Sequence, residues 1–547
     1  MADPRGGELL VHLMREHGVD TAFGVVSVHN LPLVEAVAGQ LRFVPVRHEA
    51  AAVNAADGYA RAGGGLGVAI TSTGTGAGNA AGAMVEALTA GSSVLHVTGQ
   101  IEAEFLGQGR GVIHETPGQL DMLTAISRYA ATVSSAGAAE KVLREAIAVA
   151  LALPAGPVSV EWPIDLQYAR QQPGQVPQPA TAFPLPQPGP DSVRRAAELL
   201  ATARRPVIWA GGGAAAAGDR LRALAEATGA GVVTSNAGRG TIPEDHELVI
   251  GNFASSPEGS TLLAEADVLL SIGTHFRSNE TKHYALQLPQ QHIQVDIDAA
   301  ALGRVYPATL RLHGESGAVL DGLLAELSSR ATSTEPGWRD RVVATRHAAR
   351  ARLCAAIGPY QAICTELRAQ LPREAVIARD VTIPSSQWGN RLLEIYHPET
   401  NIFPLGGGIG QGLATGIGAA VSRSGSPTAV IVGDGGLAVH VGELATLAQE
   451  RPWLVLLVFN DGGYGVLRNM QDAHSGTRSG VDLFTPDIGT LARSVDLPYT
   501  LVNTEGKFPA ALADALARRG PSVLEIDVTA LGPTPVPFVP PVHIPED

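Results

Sequence analysis

The chain has 547 residues, too many for a single core at about 150 residues per domain, so several domains are expected. Charged residues are 17% and aromatics 5%, against 63 glycines and 37 prolines. That composition excludes a coiled coil or a disordered chain and favours α/β layers built from small aliphatic side chains. A net charge of -14 with no basic run excludes nucleic acid and an anionic membrane surface as main partners.

The strongest apolar run, residues 453–459, is far shorter than a bilayer span, and the N-terminus lacks the basic-then-apolar order of a signal peptide. Cys354 and Cys364 form neither a disulfide framework nor a CxxC pair, so a soluble protein of the reducing cytoplasm is expected.

Along the chain, β-rich runs at 43–46, 67–70, 93–97 and 158–161 alternate with helical stretches such as 79–90. Strand, helix, strand implies a parallel sheet covered on both faces. A Pro/Gln/Gly-rich stretch at 171–190 reads as a linker, closing a first domain at 1–170. A second set of runs at 206–209, 231–234, 267–272 and 292–296 marks a domain at 191–345, and a charged helical stretch containing 339–352 precedes the third set. A third set at 375–378, 401–405, 428–432, 453–459 and 522–526 marks a domain at 355–530, and the Pro-rich tail at 531–547 must be extended. The expected fold is therefore α/β: three doubly wound parallel-sheet domains and a tail.

The segment Ile431-Val-Gly-Asp-Gly-Gly436 carries the most chemistry. A strand delivers Asp434 to its carboxyl edge, the glycines Gly433, Gly435 and Gly436 allow close backbone approach, and a helix begins with free amides that suit phosphate. A second strand ends at Asp461, so two carboxylates converge with the Gly463 carbonyl on one hard cation such as magnesium. A lone GDG is commonly only a turn; the second strand-terminal Asn-Asp-Gly-Gly makes the cofactor reading stronger.

This segment resembles the diphosphate and Mg motif of thiamine-diphosphate enzymes, with Asp461 replacing the second asparagine of that pattern. Arg47-His-Glu-Ala-Ala-Ala52, Asp57-Gly-Tyr-Ala-Arg61 and Gly74-Thr-Gly-Ala-Gly-Asn79 are similar to the pyrimidine-binding domain of the acetolactate synthase, benzoylformate decarboxylase and benzaldehyde lyase group. The resemblance covers nearly the whole chain: a pyrimidine-binding domain, a central nucleotide-binding-like domain and a diphosphate-binding domain. It implies thiamine diphosphate and Mg2+ as cofactors, and makes Glu49 the carboxyl group that activates the aminopyrimidine. It makes Ile409, in Leu405-Gly-Gly-Gly-Ile-Gly-Gln-Gly412, the wedge between the cofactor rings, with the Gly407 carbonyl bonding the amino group. Tyr464 and Gly465 join the cofactor set. In the family the pyrimidine domain of one subunit faces the diphosphate domain of its neighbour, implying at least a homodimer, with tetramers usual. Some relatives hold FAD or ADP in the central domain, which is left open here.

His29 and His114 stand where relatives carry active-site groups and are the candidate proton shuttles, each equally readable as a surface or capping histidine. Val28, Ser72, Val466, Leu467 and Met470 are the candidate substrate pocket, with Met470 replacing the tryptophan of acetolactate synthase. His440, on the helix after the GDG turn, and His474, in a following loop, are weaker proton-transfer candidates. The resemblance implies a carbon-carbon lyase or carboligase acting on 2-oxo acids or related carbonyl compounds; an acetolactate synthase-like enzyme is the alternative. Two G-x-G-x-x-A matches, Gly76/Gly78/Ala81 and Gly211/Gly213/Ala216, keep a dinucleotide-dependent dehydrogenase as a second alternative. A catalytically silent family member is a third.

Overall fold

The structure is a computed structural model that describes residues 4–171 and 184–540. Each domain is built on a six-stranded sheet in which every strand pair is parallel. The first contains β1 (Thr21–Gly24), β2 (Arg42–Pro45), β3 (Gly67–Thr71), β4 (Val94–Gln100), β5 (Tyr129–Thr132) and β6 (Val158–Pro163), in the order β2-β1-β3-β4-β6-β5. The second contains β7 (Pro206–Ala210), β8 (Gly231–Thr234), β9 (Val249–Gly251), β10 (Val268–Ile272), β11 (Gln291–Asp296) and β12 (Leu310–His313), in the order β12-β11-β10-β7-β8-β9. The third contains β13 (Val376–Arg379), β14 (Asn401–Ile402), β15 (Thr428–Gly433), β16 (Leu454–Asn460), β17 (Tyr499–Val502) and β18 (Ser522–Asp527), in the order β14-β13-β15-β16-β18-β17.

The outer two domains thus share one topology, and the central domain has the strand order of dinucleotide-binding folds. Central strands such as β16, Leu-Val-Leu-Leu-Val-Phe-Asn, are apolar without alternation because helices cover both faces, and all but Asn460 are buried. The edge strands β5 and β17 are half-exposed, carry little apolar pattern and are not anticipated from the sequence.

Several sequence expectations shift. The strand expected at 401–405 stops at Ile402, because Pro404 has no N–H to give a ladder. The gap expected between the second and third domains, 345–355, lies inside the helix Trp338–Ile357. In the expected linker, residues 172–183 lie outside the described residues, and a helix already starts at Pro190. In the tail, residues 532–540 form neither helix nor strand, and the carbonyls of Val536 and Phe538 accept hydrogen bonds from Gln387 and Asn469. Residues 541–547 lie outside the described residues. No helix among the described residues is long and apolar enough to cross a membrane.

The helix Glu49–Tyr59 of the first domain packs against the helix Gly412–Ser422 of the third. Glycine sets this approach: a Cβ at Gly418 would sit 1.8 Å from the Ala55 carbonyl oxygen, and one at Gly58 would sit 2.0 Å from that of Thr415.

Candidate active site

Two clusters of functional side chains form at carboxyl ends of strands, one on each outer domain. In the first domain, His29 follows β1 and is 4% exposed. Its backbone lies against β4, where a Cβ at Gly99 would fall 2.3 Å from the His29 oxygen. The His114 Nδ1 is 3.3 Å from the His29 Nδ1, and the rings meet edge to face with centroids 5.3 Å apart. Burial lowers the His29 pKa below the ordinary value; His114 lowers it further and Glu102 opposes them. His29 is therefore neutral near pH 7, able to accept a proton as well as relay one.

Glu49 begins its helix in the same domain. Its Oε2 accepts from Asn79 at 3.0 Å, and Gly76 separates its carboxylate from Ser72, since a Cβ there would lie 3.2 Å from Glu49 Oε1 and 2.7 Å from the Ser72 Cβ. Among the described residues Glu49 forms no ion pair with the nearby-in-sequence Arg47 or Arg61. Arg47 reaches Thr446 and Gln449, and Arg61 reaches Asp57 and the Phe403 carbonyl. Ser72 Oγ is buried without a hydrogen-bond partner, and Val28 is 63% exposed.

In the third domain, β15 and β16 run side by side and release Asp434 and Asp461 at their ends. Asp434 Oδ1 accepts the Asp461 N–H at 3.2 Å, and its Oδ2 accepts the Thr485 hydroxyl at 2.8 Å. Asp461 Oδ1 is buried with no hydrogen-bond partner; the Arg468 guanidinium stands 3.8 Å away. Burial, and then the Asp434 charge, push the Asp461 carboxyl up to about 6. Glycines shape the floor: a Cβ at Gly435 would lie 2.8 Å from the Tyr464 ring and 3.1 Å from the Gly463 oxygen, and one at Gly465 would lie 1.9 Å from Asp461 Oδ2. Two repelling carboxylates, one with an orphaned oxygen, beside a carbonyl and a helix N-terminus at Asp434 are a donor set suited to a hard divalent cation carrying a diphosphate. Among the described residues no group of three or more His, Cys, Asp and Glu side chains is arranged to hold a metal.

The loop between β14 and the next helix is held at both ends. Glu86, from the first domain, accepts the N–H groups of Leu405 at 2.5 Å and Gly406 at 2.7 Å. Asp380, at the end of β13, accepts those of Gly410 at 2.9 Å and Gly412 at 3.2 Å, and His440 Nδ1 donates to the Gly410 carbonyl. Gly407, Gly408 and Ile409 project between these anchors, with Ile409 39% exposed. Neither Asp380 nor Glu86 was singled out from the sequence. Asp380 had a signal, a carboxylate directly after a buried strand, as at Asp434 and Asp461; Glu86, inside a helix of the first domain, had none. His440 follows the helix Asp434–Val439 rather than lying on it, and His474 ends the helix Gly465–His474 rather than lying in a loop.

Val466 joins Gly406, Gly407, Arg304 and Arg391 in lining a cavity of about 690 Å³ between the central and third domains. Leu467 is 47% exposed and Met470 half-buried. A separate cavity of about 450 Å³ is lined by Gly212, Gly213, Gly273 and Asp296, at the ends of β7, β10 and β11, where the strand order reverses. Among the described residues no hydrogen bond or ion pair joins the Glu49–His29–His114 cluster to the Asp434–Asp461 cluster within one chain.

This architecture, with a phosphate-type turn on one outer domain and a carboxylate–histidine cluster on its topological twin, defines a cofactor enzyme of the thiamine type. The chain matches the family models for the thiamine pyrophosphate enzyme N-terminal TPP binding domain over residues 4–125, the central domain over 193–323 and the C-terminal TPP binding domain over 384–526. It belongs to the thiamine pyrophosphate enzymes. It is similar to the probable 2-ketoarginine decarboxylase AruI of Pseudomonas aeruginosa, 34% identical over 496 residues that cover 89% of this chain and 88% of that protein. It is also similar to a probable acetolactate synthase large subunit of Methanocaldococcus jannaschii, 28% identical over 98% of this chain and 94% of that protein. The acetolactate synthase isozyme 2 large subunit of Escherichia coli is 27% identical, with 96% of each chain covered.

Proposed function

We propose that the protein is a thiamine-diphosphate- and Mg2+-dependent decarboxylase of 2-oxo acids in the cytoplasm. It works as at least a homodimer, in tetramers by family habit, with Glu49 of one subunit facing Asp434 and Asp461 of the next. The observation that carries this reading is the Asp434–Asp461 pair with its buried, unpartnered oxygen. Asp434, Asp461 and the Gly463 carbonyl would ligate Mg2+, and the amides around Gly433, Gly435 and Gly436 would bind diphosphate. Tyr464 and Gly465 would close the floor, and Gly407 and Ile409 would hold the aminopyrimidine. When bound, the cofactor supplies a nucleophilic carbon and an electron sink for the bond cleaved beside a carbonyl.

The remaining roles belong to the chain. Glu49 holds or donates the proton at the aminopyrimidine ring nitrogen, and Asn79 orients its carboxylate. His29, neutral through burial, and His114 move protons at the substrate oxygen and product carbon. Exposed Val28 and Leu467, half-buried Val466 and Met470, and buried Ser72 would shape and dry the pocket once the half-sites meet. Similarity to the 2-ketoarginine decarboxylase supports a 2-oxo acid whose side chain ends in a cation. Acetolactate-type carboligation is the second reading, supported by the acetolactate synthase relatives; Met470 at the family's tryptophan position weighs against it. A dinucleotide dehydrogenase leaves Asp434 and Asp461 without a role.

The test is titration of the apo-protein with thiamine diphosphate with and without Mg2+, followed by CO2 release from a panel of 2-oxo acids. Saturable Mg-dependent binding, lost in Asp434→Asn, is expected; Mg-independent binding or unaltered binding in the variant overturns the assignment of the site.

A further inference from the structure

Segment 102–118, which leaves the end of β4, folds back over His29. Gly99 touches the His29 backbone, and His114 returns to the ring at 3.3 Å. Glu102 is the first acidic residue of this segment. One of its carboxylate oxygens, Oε2, is buried with no hydrogen-bond partner. Its side chain does not cap the short helix Ala103–Phe105 that follows it, and among the described residues it forms no ion pair. The nearby Arg110 instead lies over the Phe105 ring, 5.1 Å from its centroid, and Asp165 accepts the Ala103 N–H. Glu102 is near enough to His29 to act on its ring electrostatically, although burial and His114 outweigh it.

A buried carboxylate oxygen with neither donor nor cation is unfavourable in the free protein, and a cationic ligand group offsets that desolvation with a charge-assisted hydrogen bond. We propose that Glu102 is a specificity-determining residue, binding an ammonium or guanidinium group at the far end of the substrate's side chain while His29 and His114 attend its carbonyl end. This rests on the reading of the site as a 2-oxo acid decarboxylase and adds the residue that selects among such acids.

The experiment compares wild type with Glu102→Gln and Glu102→Asp on two substrates of similar length, 5-guanidino-2-oxopentanoate and uncharged 2-oxooctanoate. In Glu102→Gln the ratio of kcat/KM for the guanidino acid over the neutral acid should fall tenfold or more, mainly through KM, with partial recovery in Glu102→Asp. An unchanged ratio overturns the proposal, because it means that Glu102 acts through His29 or through folding. Calorimetry with unreactive 5-guanidinopentanoate against octanoate, on protein loaded with thiamine diphosphate and Mg2+, reads the same selectivity without turnover. The guanidino acid should bind at least tenfold more tightly, and Glu102→Gln should abolish the difference; equal affinities in wild type overturn the proposal. Cationic preference without CO2 release would sink the decarboxylase reading and leave the Glu102 assignment standing.

Discussion

Asp380 anchors the projecting loop that offers Gly407 and Ile409. Its carboxylate accepts the N–H groups of Gly410, Gly412 and Val381, and both glycines are buried. Asp380→Ala leaves two buried donors without an acceptor, at about 1–3 kcal/mol each, a local destabilisation of roughly 2–6 kcal/mol if water does not enter. Even the lower bound speeds opening about 30-fold, since about 1.4 kcal/mol is tenfold. The assay is native-state hydrogen exchange of the Gly410 and Gly412 amides at pH 8, above the value of about 6 to which burial pushes this carboxyl. Asp380→Asn, which keeps the shape and one acceptor, should fall between wild type and alanine. Thiamine diphosphate affinity should weaken in the same order, because Gly407 and Ile409 lie between this anchor and Glu86. Unchanged exchange at both glycines in Asp380→Ala refutes the anchoring argument.

Glu49→Gln should abolish exchange of the thiazolium C2 proton while diphosphate binding, measured by fluorescence titration, stays largely intact; full turnover would remove Glu49 from its role. Gly418→Ala puts a methyl 1.8 Å from the Ala55 oxygen and should lower stability by about 1–3 kcal/mol through overpacking. Gly39→Ala, on the helix Leu31–Gln40 with open space around it, should be neutral or stabilising by up to about 1 kcal/mol; a scan in which both variants melt alike speaks against the close helix pair. Burial pushes the His96 ring down to about 4 from its ordinary 6.5, with its nitrogens on Thr71 and Ser159. The unfolded chain then takes up the proton first, so stability present above pH 6.5 is lost as pH falls toward 4, by about 3 kcal/mol. His96→Gln should flatten that part of the melting-temperature profile, and an unaltered slope would count against a neutral buried ring.

The strand-ending carboxylates Asp434 and Asp461 were legible in the sequence because a buried parallel strand is a short apolar run, and the residue after it must lie at the sheet edge. The three-domain organisation was legible for the same reason, as were the glycine turns. The half-exposed edge strands β5 and β17 were not, because they need no apolar pattern. The charged helical stretch at 339–352 was legible and is the helix Trp338–Ile357, but its pattern does not say where one domain ends and the next begins.

Other features depend on residues far apart in the chain. Glu86 meets Leu405 and Gly406, Gly418 meets Ala55, and Glu102 is left without a partner beside His29. The sequence by itself determined the composition of each half-site, since local strand ends and glycines dictate which groups reach a sheet edge. Only the tertiary structure decided which of those groups are satisfied, anchored or orphaned, because hydrogen bonding and desolvation depend on neighbours that chain order does not specify.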